Sequence, residues 1–214
     1  MEVPLRGRKP TACYLAWVNV ARRLHGYTYQ DYLTLEADSN VRHEYLEGEI
    51  YATAGGTLEH ALLCSGVITE LGVQLRGGPC RIATSDLRVR VLETGKATYP
   101  DATVICGDAE LDPEDVQGQT VINPIALVEV TSKSTEDYDR GDKFELHYRR
   151  VPTLQEYVLV SHRERTIEIR RRTPDDEWIR TIAGSGESVC LESLSATLDV
   201  DALYDAALGS GRPP

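Results

Sequence analysis

Apolar and polar positions change period several times along the chain, and each change marks an element. Tyr32, Leu33 and Leu35 follow Thr28, whose hydroxyl can cap a helix with Asp31 three residues on, so a short helix is predicted there. Tyr45, Leu46, Ile50 and Tyr51 flank Glu47 and Gly48, which predicts a small hairpin over residues 44–53. Beyond Gly55 and Gly56, the positions Leu58, Ala61, Leu62, Ser65, Ile68, Leu71 and Leu75 recur at helical spacing behind a Thr57 cap. The apolar stripe of that helix should face a sheet. The period then shortens: Ile82, Leu87, Val89 and Val91 alternate with polar residues, and Ala102–Cys106 and residues 124–130 form nearly continuous apolar runs. These read as successive strands of one sheet, the last two central, joined by a long loop over residues 107–123. A helix capped by Thr135 is predicted to run to Arg150 and stop at Pro152; strands near residues 157–160 and 166–170 and a final helix over 200–208 complete the pattern.

Strands of one sheet together with helices in 214 residues predict one domain of the α/β (α+β) class. The expected organisation is an N-terminal arm over 1–26, a single domain over 27–208, and a flexible tail over 209–214. No apolar run reaches the roughly 18–20 residues of a membrane span and the start lacks the apolar core of a secretory signal, so a soluble, cytoplasmic protein is expected. Cys13, Cys64, Cys80, Cys106 and Cys190 are odd in number and widely spaced, which reads as idle thiols rather than a zinc site or disulfide framework. A net charge of -11 argues against a protein that coats nucleic acid. Two stretches oppose that sign: Arg6, Arg8, Lys9, Arg22 and Arg23 near the start, and Arg163, Arg165, Arg170, Arg171, Arg172 and Arg180 later. Each suits either a phosphate contact or a solvated face.

Two carboxylates stand where charge is costly. Asp101 lies at the mouth of one apolar run, and Glu129 lies inside the next, between Val128 and Val130. Burying an unpaired carboxylate among aliphatic neighbours costs several kcal/mol, so a neutralising partner is expected. Two hard oxygens, a backbone carbonyl and waters suit Mg²⁺ or Mn²⁺.

The ordered motifs Tyr45-Leu46-Glu47-Gly48-Glu49-Ile50, His60, Thr84-Ser85-Asp86-Leu87-Arg88-Val89, Tyr99-Pro100-Asp101 and Val128-Glu129-Val130-Thr131-Ser132-Lys133-Ser134-Thr135 continue through Asp139, Lys143, Tyr148 and Glu156-Tyr157. Together they resemble the bacterial restriction-endonuclease-like proteins of the Uma2 type, within the PD-(D/E)XK nuclease superfamily. The resemblance implies a restriction-endonuclease-like mixed sheet flanked by helices, and a metal-dependent DNA endonuclease in which Asp101, Glu129 and the Val130 carbonyl bind the ion. The sequence departs from the superfamily pattern at Thr131, where a lysine would stand two residues after Glu129. The resemblance points instead to Lys143 on the following helix. Two other readings stand beside it: Asp139 and Lys143 form an exposed helix ion pair, or Lys133, which keeps the face parity of Glu129, is the lysine used.

Glu44 or Glu47 could add a carboxylate to the metal site or simply lie in a solvated turn. His60 is a packing residue or a base, Asp86 a charge partner of Arg88 and Arg90 or a residue at the edge of the active site, and Tyr148 a core residue. Homodimerisation is expected by analogy with nucleases that cut both strands. The competing classes are a catalytically inactive scaffold that binds nucleic acid or protein, and hydrolysis of another phosphate ester.

Overall fold

A computed structural model of the chain describes residues 26–53 and 55–210. The predicted N-terminal arm and its basic residues Arg6, Arg8, Lys9, Arg22 and Arg23 lie outside the described residues, as does the end of the tail. Helix α1 (Tyr29–Asp38) starts at Thr28, whose hydroxyl accepts from the Asp31 amide while the Asp31 carboxylate accepts from the Thr28 amide. The hairpin of β1 (His43–Leu46) and β2 (Glu49–Ala52) turns through Glu47 and Gly48, both at positive φ. Such turns match the right-handed twist of the two strands. Helix α2 (Leu58–Gln74) carries the expected Thr57 cap.

Strands β3 (Cys80–Thr84), β4 (Arg88–Val91), β5 (Lys96–Thr98), β6 (Ala102–Cys106), β7 (Thr120–Val121) and β8 (Ala126–Val130) follow. After helix α3 (Glu136–Arg140) come β9 (Glu156–Val160), β10 (Ile167–Arg172), β11 (Trp178–Ala183), β12 (Ser188–Leu191), β13 (Ala196–Asp199) and helix α4 (Val200–Leu208). The main sheet has the order β11-β10-β9-β8-β6-β3, mixed because β8 and β9 are parallel. Leu63, Val67 and Leu71 of α2 and Leu203 and Tyr204 of α4 share a core with Val104, Val128 and Val158 of that sheet. The alternate positions Ile105, Leu127, Tyr157 and Leu159 share a second core with Phe144, Tyr148 and the strand residues Val89, Val91 and Val121. The mixed sheet flanked by helices is the predicted architecture.

Several expectations need correction. Residues 80–91 do not stay in one sheet: a turn at Ser85 and Asp86 sends β4 into a second sheet of order β2-β1-β5-β4-β7. Alternation looked the same on both sides of that turn because Arg88 mimics a solvated position, yet it is buried against Asp115 at 2.8 Å. The expected loop over 107–123 is tied down by the same ion pair and by Arg90 with Asp112 at 3.0 Å, and it contributes β7. Asp86 lies in the turn and pairs with Arg42, not with Arg88 or Arg90. Cys80 and Cys106 face each other across β3 and β6 and form a disulfide, contrary to the reading of idle thiols. The predicted helix from Thr135 to Arg150 is broken. Thr135 makes no side-chain cap, α3 ends at Gly141, and residues Lys143–His147 form a π-helical turn before a last 3₁₀ turn, Tyr148–Arg150.

Candidate active site

The carboxylates and the lysine meet where the two sheets face each other. Leu127 and Glu129 leave β8 on the side away from α2, so Glu129 sits beneath the Lys143–His147 turn while Val128 and Val130 pack with α2 and α4. Glu44 reaches the same space from β1. Its neighbour Tyr45 faces the aromatic cluster under α1, and strand parity turns Glu44 the opposite way, with Lys96 and Thr98 of β5.

Lys143 is the hub. Its ammonium is 2.7 Å from Glu129 Oε1, 3.4 Å from Asp139 Oδ1 and 3.7 Å from Glu44 Oε1. Lys96 holds Glu44 Oε2 at 2.7 Å, and the Tyr148 hydroxyl donates to Glu129 Oε1 at 2.7 Å. Both Asp139 and Lys143 are buried, which replaces the reading of an exposed helix pair. The break in the helix accomplishes this placement. A Cβ at Gly141 would come 2.9 Å from the Asp137 carbonyl, so only glycine allows the chain to tighten there before the wider turn that carries Lys143 inward. Wide turns of this kind recur at functional sites.

Asp101 closes the outer side. Its Oδ2 accepts from the Val130 amide at 2.8 Å and stands 3.3 Å from His60 Nε2. His60 Nδ1 in turn lies 3.5 Å from Cys64 Sγ. Asp101, His60 and Glu44 are each about a fifth exposed, whereas Glu129, Asp139 and Lys143 are nearly sealed, so the cluster has a mouth and a floor.

Counted as ionised, Glu44, Asp101, Glu129 and Asp139 carry four negative charges, opposed among the described residues by the ammoniums of Lys96 and Lys143 and by the His60 imidazole beside Asp101. Burial pushes the Glu129 carboxyl up to about 8, against the pull of Lys143 and with the push of Asp139 and Asp101. Burial opposes ionisation of Glu44 as well, but the ammoniums of Lys143 and Lys96 win and hold it well below the usual carboxylate range. Lys143 stays protonated far above its ordinary range: burial works against the charge, and Glu129 and its other anionic neighbours outweigh it. The hydrogen bond to Asp101 raises His60, against burial, and the Val130 carbonyl adds to the rise. A divalent cation of the Mg²⁺ class takes hard oxygen donors and would displace the proton that burial leaves on Glu129. Asp101, Glu129 and the Val130 carbonyl are the oxygen donors here that could hold such an ion.

The structure therefore gathers Asp101, Glu129, Lys143 and His60, and it leaves two candidates outside. Lys133 is exposed in the turn after β8, where the strand has ended and face parity no longer applies. Glu47 is exposed at the hairpin turn, whereas Glu44 points inward. Lys96, Asp139 as a site member and the contact of Tyr148 with Glu129 were not anticipated. The signal for Lys96 was present as a charged residue in a short apolar strand, but that strand was not predicted. The late arginines are largely engaged with carboxylates: Arg163 with Glu136, Arg165 with Asp201 and Asp205, Arg170 and Arg180 with Glu168, Arg171 with Glu156, and Arg172 with Asp176.

Residues 29–201 match the model of the Uma2 family, described as "Putative restriction endonuclease". Two proteins of Synechocystis sp. (strain ATCC 27184 / PCC 6803 / Kazusa) are similar. The protein slr1290 is 36% identical over 176 residues, covering 82% of this chain and 90% of its own length. The protein sll1609 is 30% identical over 154 residues, covering 72% and 85%. A crystal structure from Anabaena variabilis ATCC 29413, described as "a putative nuclease belonging to DUF820", superposes with a TM-score of 0.66 at 18% identity, covering 86% of this chain and all of that one.

Proposed function

Because this chain belongs to the Uma2 family and has its restriction-endonuclease-like fold, we propose that it is a metal-dependent endonuclease hydrolysing DNA phosphodiester bonds. The observation that carries this reading is the convergence of Lys143, Glu129, Asp139 and Glu44 beside Asp101, an acidic cluster built around one buried ammonium. Asp101, Glu129 and the Val130 carbonyl would hold Mg²⁺, with Mn²⁺ as a substitute. A divalent ion there supplies Lewis-acid polarisation of the phosphate and a more acidic bound water.

The chain's own residues divide the remaining work. Lys143, kept charged by its carboxylate neighbours, acts as a fixed positive group at the scissile phosphate rather than as a base. Asp139 and Glu44 hold that ammonium in place, and Lys96 fixes Glu44 from behind. Tyr148 orients the Glu129 carboxylate through Oε1. His60 and the Val130 amide do the same for Asp101. A homodimer would place two such sites against opposite strands of a duplex.

Nicking of supercoiled plasmid by the purified protein in Mg²⁺ or Mn²⁺ tests the reading. Wild type and Lys133→Ala should nick, and Glu129→Ala and Lys143→Ala should lose about 10²-fold or more. No cleavage by the wild type, with no metal-induced rise in melting temperature, would favour a non-catalytic scaffold.

A further inference from the structure

At the mouth of the site, α2 presents donors of a different chemistry. His60 and Cys64 stand four residues apart on α2, so their side chains leave the same face of the helix. Cys64 Sγ is 3.5 Å from His60 Nδ1, His60 Nε2 is 3.3 Å from Asp101 Oδ2, and one donor atom from each of the three lies within 4.8 Å of the others. The ring is seated over Gly56, where a Cβ would come 2.6 Å from Nδ1, so the missing side chain makes room for this orientation. Imidazole nitrogen, thiol sulfur and carboxylate oxygen together are a zinc-type donor set, whereas Mg²⁺ takes oxygen alone.

We propose that His60, Cys64 and Asp101 form a binding site for a thiophilic divalent cation of the Zn²⁺ type. Its ligand set differs from the all-oxygen set built on Asp101 and Glu129. Three protein ligands leave one position of a tetrahedral site for water. On coordination the Cys64 thiol releases its proton to solvent and binds as thiolate. Asp101 belongs to both sets, so Zn²⁺ competes with Mg²⁺ for it and inhibits cleavage. That consequence rests on the nuclease reading; the binding itself does not.

Titration of Co²⁺ into the full chain should produce a sulfur-to-metal charge-transfer band that saturates at one equivalent. Zn²⁺ should displace it and excess Mg²⁺ should not. Cys64→Ser and His60→Gln should lose the band and Cys190→Ser should keep it, with circular dichroism checking that each variant is folded. Absence of the band in the wild type, or its persistence in Cys64→Ser, overturns the site. In the nicking assay Zn²⁺ should inhibit the wild type and spare Cys64→Ser, which should cleave normally in Mg²⁺. Equal inhibition of both would overturn the shared-ligand consequence. Absence of nicking would remove the nuclease reading while the optical result stands.

Discussion

Glu129 shows how one residue can serve function at the expense of stability. Its carboxyl is buried between aliphatic neighbours, and burial raises it to about 8 despite the Lys143 contact. An acid whose folded value lies above its unfolded value of 4.5 holds its proton in the native state when the unfolded chain has lost it. Its stabilising contribution is therefore complete below about pH 4.5 and is lost as pH rises through about 8. Glu129→Gln removes the titrating charge and keeps an acceptor for Tyr148. Without metal at about pH 9, this variant should melt higher than the wild type, by on the order of 1 kcal/mol or about 2–4 °C in Tm. It should also lose the stabilisation that Mg²⁺ gives the wild type. A lower melting temperature at that pH would make Glu129 a stabilising partner of Lys143. Lys143→Ala has the opposite sign: it leaves Glu129, Asp139 and Glu44 facing one another, and should cost about 3–5 kcal/mol by denaturant titration at neutral pH.

At the scale of elements, the break at Gly141 aims the lysine. Gly141→Ala drives a Cβ to within 2.9 Å of a backbone oxygen, which cannot give way as a flexible side chain would. The substitution should cost about 1–3 kcal/mol and slow cleavage by about 10²-fold through misplacement of Lys143; stopped-assay rates beside urea melts separate the two effects. A cap at Thr135 and a stop at Pro152 predicted an unbroken helix between them, and neither signal reports on the glycine in the middle. The caps at Thr28, Thr57 and Asp199 belong to local hydrogen bonding, and the elements behind Thr28 and Thr57 were legible for that reason. The site's two acids were legible because a charge inside an apolar run has few explanations. Lys96 and Asp139 were not, because their meaning depends on a second sheet folding over the first. The same holds for Arg88, which the sequence pairs with Asp86 and the fold buries against Asp115. Burial opposes the Asp115 charge, but the Thr120 and Arg88 hydrogen bonds prevail and lower its pKa. Its contribution is present above the ordinary aspartate range and disappears as pH falls through the lowered value. Asp115→Ala should cost about 3–5 kcal/mol at neutral pH and a smaller difference in strong acid, read from urea melts across pH.

The whole molecule must bring an anionic polymer to a chain of net charge -11. Affinity for a duplex grows with each phosphate neutralised by a cation of the protein, and each such contact adds about -0.9 to the slope of log K against log salt. The late arginines that might have formed a phosphate-binding face are already opposed by Glu136, Glu156, Glu168, Asp176, Asp201 and Asp205, so breaking those pairs would offset what DNA contacts contribute. Attraction should instead be concentrated at the site, where a divalent cation would cancel the local negative charge and offer a phosphate oxygen a direct ligand. Anisotropy titrations of a short duplex in Ca²⁺, at several salt concentrations, should then give a slope shallower than about -4. Binding should weaken sharply when the divalent ion is chelated and in Glu129→Gln. A steeper slope that survives chelation would mean that phosphates are held by cations away from the carboxylates. The basic N-terminal stretch with Arg22 and Arg23 would then be the place to substitute, and the metal would serve the chemistry of cleavage without recruiting the duplex.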